Sequence, residues 1–169
     1  LADLGLSIPE MPLLYGEHSG RERLPALLAS DGAGLSAADV LVTTGAAGAL
    51  FIVATSLLAR GDHLVVIRPN YATNLETPRA IGCDVTHIDL TFEDGFRIDI
   101  DRLAAAITPQ TKLISVTCPH NPTGVMLTEA ELRALVALAA SRGCYLLVDE
   151  TYRDLSFDGP PPLAASLGK

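Results

Sequence analysis

The sequence predicts an α/β fold built on a mostly parallel sheet with helices on both faces. Short apolar runs alternate along the chain with segments of helical period, an order typical of βαβ units. The apolar runs are continuous rather than alternating, which indicates strands that are buried on both faces. At 169 residues, of which 49% are hydrophobic, the chain is long enough for one domain with a substantial core.

Five strands are predicted, each preceded or followed by a helix. The predicted strands are 40–43, 63–68, 84–90, 112–117 and 145–148. The predicted helices are 21–30, 49–59, 73–81, 101–107 and 128–142. Loose alternation in the third strand favours an edge position, Gly82 suits a helix end, and Thr128 with Glu131 forms a capping box. Residues 1–20 are predicted to be a lead-in and loop, and 21–169 the α/β domain.

Two polar turns directly follow predicted strands. The turn C-P-H-N-P-T-G at 118–124 follows the fourth strand, and D-E-T-Y at 149–152 follows the fifth. Ligands of open α/β sheets bind at the carboxyl ends of the strands, so Asn121 and Asp149 are candidate ligand contacts. Taken singly, Asn121 could instead form an Asx-turn, and Asp149 a turn or helix cap.

A glycine-containing turn, T-G-A-A-G at 44–48, joins the first predicted strand to a helix. This layout directs backbone N–H groups and the positive end of the helix to a place where an anion could bind. The turn is neither G-x-G-x-x-G nor a Walker loop, which argues against a generic nucleotide-binding domain. The alternative is that the glycines only allow the strand and the helix to pack closely.

Together and in this order, these motifs resemble those of the class I/II aminotransferases, which are fold-type-I enzymes dependent on pyridoxal 5′-phosphate (PLP). The resemblance runs from about Tyr15 to Phe157. It implies that PLP is the cofactor and that its phosphate is held by Gly45, Ala46 and Ala47. Many members carry Ser, Thr or Gln at the second or third of these positions, so only main-chain donors are expected here.

The resemblance also implies contacts to the cofactor ring. Tyr71 matches an aromatic residue that lies flat on the ring, although an aromatic residue after a strand is commonly a core residue. Asp149 matches the carboxylate that keeps the pyridine nitrogen protonated. Asn121 and Tyr152 match the two donors to the phenolate oxygen.

A contact between subunits follows from the same resemblance. Tyr15, with Gly20 five residues later, matches a tyrosine whose hydroxyl reaches the cofactor phosphate of a neighbouring subunit. A homodimer is therefore expected. The alternative is that the Tyr15 ring packs on the next helix. Glu17 and His18 lie near the expected substrate side, where they would influence substrate choice; the alternative for His18 is a solvated loop residue.

The implied activity is transfer of an amino group between an amino acid and a 2-oxo acid. Alternatives on the same fold are a lyase, a decarboxylase or an amino-acid-modifying synthase. A further alternative is a non-catalytic, aminotransferase-like sensor domain. The motifs found here contact the cofactor rather than the substrate, so they leave these alternatives open.

No catalytic residue is expected within these 169 residues. The family's Schiff-base lysine lies in an S-x-S-K motif, and neither Lys169 nor Lys112 matches its context. We therefore expect 21–169 to be a partial PLP-binding large domain, without the rest of that domain or the small domain. The strand predicted at 40–43 would then lack both sheet neighbours, so the chain by itself should be marginally stable.

Composition narrows the classes of partner. The formal net charge of −8 argues against nucleic acid or an anionic membrane surface as a partner. No run reaches the ~18 apolar residues of a membrane span, and no signal-peptide pattern is visible. Cys83, Cys118 and Cys144 form an odd set without C-x-x-C spacing, which favours a reduced, cytoplasmic protein with no metal site.

Overall fold

The computed structural model of the chain describes residues 9, 14–16, 18, 23–32 and 34–168. Most of the predicted lead-in, together with Glu17, Gly20 and Lys169, lies outside the described residues.

The described part of the chain contains alternating helices and strands, and it confirms the predicted α/β class. The helices are α1 (Arg23–Ala29), α2 (Ala46–Leu57), α3 (Ala72–Ile81), α4 (Ile100–Ala106) and α5 (Glu129–Arg142). The strands are β1 (His63–Arg68), β2 (Asp84–Asp89), β3 (Thr111–Thr117) and β4 (Tyr145–Asp149). Short 3-10 helices lie at Ala37–Asp39, Arg153–Leu155 and Ala164–Ser166.

The four strands form one parallel sheet in the order β2-β1-β3-β4. As predicted, β2 is an edge strand. In the register of the sheet, Val65 of β1 lies beside Ile114 of β3, and Ile114 lies beside Leu146 of β4. Each pair of successive strands is joined through a helix, so all the carboxyl ends lie along one edge.

Two apolar cores cover the two faces of the sheet. On one face, Leu103 of α4 and Leu132 and Leu135 of α5 pack with alternate residues of β1 and β3. On the other face, Ala54 of α2 packs near Leu75 of α3 against the remaining strand residues. Continuous apolar strands are therefore required, because both faces of the sheet are covered by helices.

Two helix ends, the start of α5 and the end of α3, form where the sequence predicted them. The Thr128 hydroxyl and N–H each donate to the Glu131 carboxylate at 2.7 Å, and the Glu131 N–H donates back to the hydroxyl at 3.2 Å. This capping box begins α5 directly after the turn at 118–124. Gly82 ends α3 with a φ of 93°, and its N–H donates to the carbonyls of Pro78 and Arg79.

The prediction of a strand at 40–43 was wrong. These residues follow the 3-10 helix with no regular structure, and Leu41 is exposed. A strand requires a neighbour to satisfy its backbone N–H and C=O groups, and none of the described strands lies beside this segment. The following helix, α2, begins at Ala46, three residues earlier than predicted.

β4 is the other edge of the sheet, and its free side opens into a large apolar groove. Among the described strands β4 pairs with β3 alone, and the groove beside it has a volume of about 1120 Å³. Leu50 and Val53 of α2 line one side, Val136 of α5 lines the other, and Leu147 of β4 lies between them. An unpaired strand beside an open apolar groove favours association with other chains.

We predict that the isolated polypeptide 1–169 self-associates through this edge. Leu147→Lys should shift it towards monomer in sedimentation velocity experiments, because a charged side chain in the groove opposes strand addition. Phe92→Lys is the matched control, since Phe92 is exposed and does not line the groove. A monodisperse monomer of the unmodified polypeptide with a cooperative thermal transition would contradict the prediction.

A buried histidine lies at the amino end of the sheet. His63 begins β1, with Nδ1 at 2.6 Å from the Thr111 hydroxyl oxygen and Nε2 at 2.9 Å from that of Thr86. Burial lowers the pKa of His63, and the charge of Asp84 opposes this shift. The folded state therefore favours the neutral ring.

We expect the free energy of unfolding to decrease as the pH falls below about 6.5, the ordinary pKa of histidine, because the unfolded chain then binds more protons. His63→Gln should reduce this pH dependence, by at most about 1.4 kcal/mol per pH unit. Urea denaturation of the protein at several pH values measures the effect. His87→Gln is the control, because His87 is exposed on β2. The same pH dependence in both variants would disprove the role of His63.

Candidate functional site

A small cavity of about 220 Å³, lined by both polar and apolar side chains, lies at the carboxyl edge of the sheet. The start of α2 and the turns after β1, β3 and β4 surround it. Its lining residues are Ala46, Ala47, Leu50, Asn70, Tyr71, Thr117, Asn121, Asp149, Thr151 and Tyr152. Six residues that the sequence singled out therefore lie around one cavity, although they are spread over more than one hundred positions of the chain.

The start of α2 forms the part of the cavity suited to an anion. Ala46 and Ala47 are in the first helical turn, where N–H groups have no partner within the helix and the helix dipole is positive. Gly45 precedes them with a φ of 82°, a conformation that disfavours other residues. Gly45 does not line the cavity, and its N–H donates to the Thr43 carbonyl at 2.9 Å. The main-chain donors are therefore those of the two alanines rather than Gly45.

Tyr71 follows β1 in a turn that is organised by Asn70. The Asn70 Oδ1 accepts hydrogen bonds from the Tyr71 N–H at 2.7 Å and from the Asn74 amide at 3.0 Å. It also accepts one from the Thr117 hydroxyl of β3 at 3.3 Å. The Tyr71 side chain is 49% exposed and lines the cavity, so it is not the core residue of the alternative interpretation.

Asn121 lies in the turn after β3, between the buried His120 and the half-buried Thr123. His120 is buried; its Nε2–H donates to the Pro69 carbonyl at 2.9 Å, and its Nδ1 lies 2.7 Å from the Thr123 hydroxyl oxygen. The Asn121 side chain makes no hydrogen bond to any described residue. The Asx-turn alternative therefore does not hold, and the amide remains able to bind a ligand.

Two adjacent carboxylates at the end of β4 have different surroundings. Asp149 lines the cavity, and its Oδ1 accepts hydrogen bonds from the Thr151 hydroxyl at 2.6 Å and N–H at 3.1 Å. Glu150 does not line it; its carboxylate accepts the Ala164 N–H at 3.1 Å. Burial raises the pKa of Glu150, while the Ala164 N–H and the Arg153 guanidinium oppose the shift. Asp149 is therefore the acidic group available to a ligand, and it also organises a turn.

The two other tyrosines that the sequence singled out, Tyr152 and Tyr15, have different positions. Tyr152 lines the cavity and precedes the 3-10 helix Arg153–Leu155. Tyr15 is fully exposed and does not line it, so its ring does not pack on the next helix. His18 is exposed, whereas Gly20 and Glu17 lie outside the described residues. The chain by itself does not bring Tyr15 to the cavity.

Sequence reasoning missed four lining residues. Asn70 and Thr117 follow or end strands, so the rule that ligands bind at the carboxyl ends of parallel strands could have identified both. Thr151 stands inside the D-E-T-Y turn that was already singled out. Leu50 carried no signal, because its contribution depends on how α2 packs over the sheet.

Lys112 and the three cysteines, which the sequence analysis also considered, do not line this cavity. Lys112 is exposed near the start of β3, far from its carboxyl end. Cys83, Cys118 and Cys144 are free thiols. Among the described residues, no cluster of His, Cys, Asp and Glu suited to a metal ion is found. No helix in the described ranges is both long and apolar enough to cross a membrane.

Comparison with known proteins identifies the family. The family model described as aminotransferase class I and II matches residues 11–167. Arginine–pyruvate transaminase AruH of Pseudomonas aeruginosa is 34% identical over 158 residues, which are 90% of this chain and 40% of that protein. Aspartate/prephenate aminotransferase of Thermus thermophilus is 34% identical over 152 residues, covering 90% of this chain and 37% of that protein.

Solved structures support the same family. A PLP-dependent aminotransferase from Streptococcus suis superposes with a TM-score of 0.88 at 30% identity, over 95% of this chain and 43% of that one. Aspartate aminotransferase from Thermus thermophilus superposes with a TM-score of 0.86 at 31% identity, over 91% of this chain and 42% of that one.

The chain belongs to the class I and II aminotransferases, a family of PLP-dependent enzymes. It spans about 40% of the length of the curated relatives that it matches.

The donors around the cavity fit PLP. A helix start suits a phosphate, an aromatic side chain suits a flat ring, and a carboxylate suits a protonated ring nitrogen. Ala46, Tyr71 and Asp149 provide these features, and Asn121 and Tyr152 add polar groups beside them.

Proposed function

We propose that the protein containing this chain is a PLP-dependent aminotransferase that moves an amino group between an amino acid and a 2-oxo acid. The observation that carries the proposal is the convergence of a helix start, a half-exposed tyrosine and a carboxylate on one cavity. Family membership supports the same chemistry.

Each lining group has a distinct part in the proposal. The N–H groups of Ala46 and Ala47 bind the cofactor phosphate, and Tyr71 covers one ring face. Asp149 holds a proton on the ring nitrogen, because an opposite charge favours the protonated form. Asn121 and Tyr152 donate to the ring oxygen. When bound, PLP withdraws electrons from the carbon atom of the substrate that loses its proton.

The proposal extends to assembly and organisation. Residues 21–169 form the first part of the large, PLP-binding domain, preceded by a lead-in at 1–20. The protein is a homodimer in which Tyr15 reaches the phosphate site of the partner, which is supported by its fully exposed ring. It acts in the cytoplasm, which is consistent with its three free thiols.

The activity can be tested with the full-length protein and a panel of amino acids. Without an added 2-oxo acid, we expect about one equivalent of product 2-oxo acid per site, because an aminotransferase stops after the amino group has moved to the enzyme. Adding an acceptor 2-oxo acid should restore turnover. Continued turnover with an amino acid alone would indicate a lyase or decarboxylase, and no reaction at all would favour a sensor.

We predict that Asp149→Asn lowers kcat of the full-length enzyme by about 100-fold or more, since a charged group that controls a proton is lost. The substitution retains an oxygen that can accept the Thr151 hydrogen bonds, so the turn itself should persist. A role limited to the turn therefore predicts unchanged kcat and PLP affinity. Asp158→Asn is the matched control, because Asp158 is exposed and does not line the cavity.

A further inference from the structure

His120 is buried beside the cavity but does not line it. It lies between Cys118–Pro119 and Asn121, in the turn that follows β3. Only 4% of its surface is exposed, and both ring nitrogens have hydrogen-bond partners. A buried imidazole with two partners is ordered by its surroundings and in turn restrains them.

The two partners determine which nitrogen carries the proton. The Pro69 carbonyl can only accept, so Nε2 is the donor of the 2.9 Å hydrogen bond. Burial lowers the pKa of His120, against the effect of that carbonyl, so the ring is neutral and Nδ1 accepts from the Thr123 hydroxyl at 2.7 Å. The neutral ring thereby uses its one donor and its one acceptor.

The hydrogen bond to the Pro69 carbonyl joins two turns that come from different strands. Pro69 belongs to the turn that carries Tyr71, and His120 belongs to the turn that carries Asn121. The hydrogen bond from the Thr117 hydroxyl to Asn70 Oδ1 joins the same two segments a second time, at 3.3 Å. The Thr117–Asn70 contact begins within β3, so of these two links only the His120 hydrogen bond reaches the part of the turn next to Asn121. Within the turn itself, the His120 N–H donates to the Val125 carbonyl at 2.8 Å and the Gly124 N–H to the His120 carbonyl at 2.7 Å.

We propose that His120 is a positioning residue, which holds the Asn121 turn against the Tyr71 turn through its Nε2–H donor to the Pro69 carbonyl. It does not touch the cavity, and it acts by fixing where the Asn121 amide lies relative to the Tyr71 ring. The consequence for PLP affinity rests on the proposed function. The consequence for the turn itself does not depend on any cofactor.

The chain contains a matched control for this proposal. His63 is also buried and also has a partner at each ring nitrogen, in its case two hydroxyl groups, but it lies at the amino end of β1, at the opposite end of the sheet. Replacing it should destabilise the protein without moving the Asn121 turn. Effects of general destabilisation can thus be separated from effects of positioning.

The test uses the full-length protein and three principal variants. In His120→Gln, the amide nitrogen can reach the position of ring Nε2 and donate to Pro69, whereas in His120→Asn the shorter side chain cannot. His63→Asn is the control. For each variant we would measure the dissociation constant of PLP, the urea midpoint, and amide hydrogen exchange of segments 69–75 and 118–127.

We expect His120→Asn to weaken PLP binding about tenfold, the effect of one buried hydrogen bond, and to accelerate exchange in both segments. His120→Gln should restore both properties to within about threefold of the original protein. His63→Asn should lower the urea midpoint while leaving PLP affinity unchanged. Should His120→Asn fail to fold, Thr123→Val, which removes the partner of Nδ1, should accelerate exchange in 118–127 alone. Val125 is left out of that comparison, because its N–H donates to the same Thr123 hydroxyl at 3.4 Å.

Three results would overturn the proposal. The first is amide exchange in 118–127 that is as slow in both His120→Asn and Thr123→Val as in the original protein. The second is an equal loss of PLP affinity in His63→Asn. The third is failure of His120→Gln to restore exchange, since the donor to Pro69 would then not be the group that matters. If the original protein does not bind PLP, the proposed function fails, and the exchange measurements still decide the role of His120.

Discussion

The parallel register of β1, β3 and β4 is the constraint on which the rest of the structure depends. It brings the carboxyl ends of three strands to one edge, so turns that are far apart in the chain become neighbours. The pairing continues past the strands, because the Cys118 N–H donates to the Asp149 carbonyl at 3.0 Å. The turn after β3 therefore starts beside the aspartate, and the cavity follows from the sheet rather than from the turns themselves.

A layer of buried polar side chains supports the cavity from below. Asn74 of α3 and Ser115 and Thr117 of β3 are buried within an otherwise apolar α/β core. Asn70 joins this layer to the Tyr71 turn through the hydrogen bonds that its Oδ1 accepts. A buried polar group without a partner destabilises a fold, so these side chains persist only as a mutually satisfied set. Such a network restrains the turns above it more narrowly than apolar packing would.

The cavity and the apolar groove adjoin one another but differ in character. Ala46, Leu50, Asp149 and Thr151 line both of them. On the groove side the lining is mainly aliphatic and none of the described strands other than β3 pairs with β4, whereas the cavity lining carries more amide, hydroxyl and carboxylate groups. Whatever covers the free edge of β4 therefore also bounds the candidate site. A segment that pairs with the free edge of β4 would therefore also restrain Asp149.

The sequence by itself determined the strands, the class of fold and the positions of the polar turns. Continuous apolar runs mark strands covered on both faces, and β1 to β4 lie within one residue of their predicted bounds. Tertiary structure decided what depends on partners distant in the chain. The apolar run 40–43 is not a strand, because none of the strands in the described part of the chain lies beside it to satisfy its backbone. Likewise, His120 restrains the Asn121 turn because folding brings the Pro69 carbonyl to its ring, and no local pattern encodes that contact.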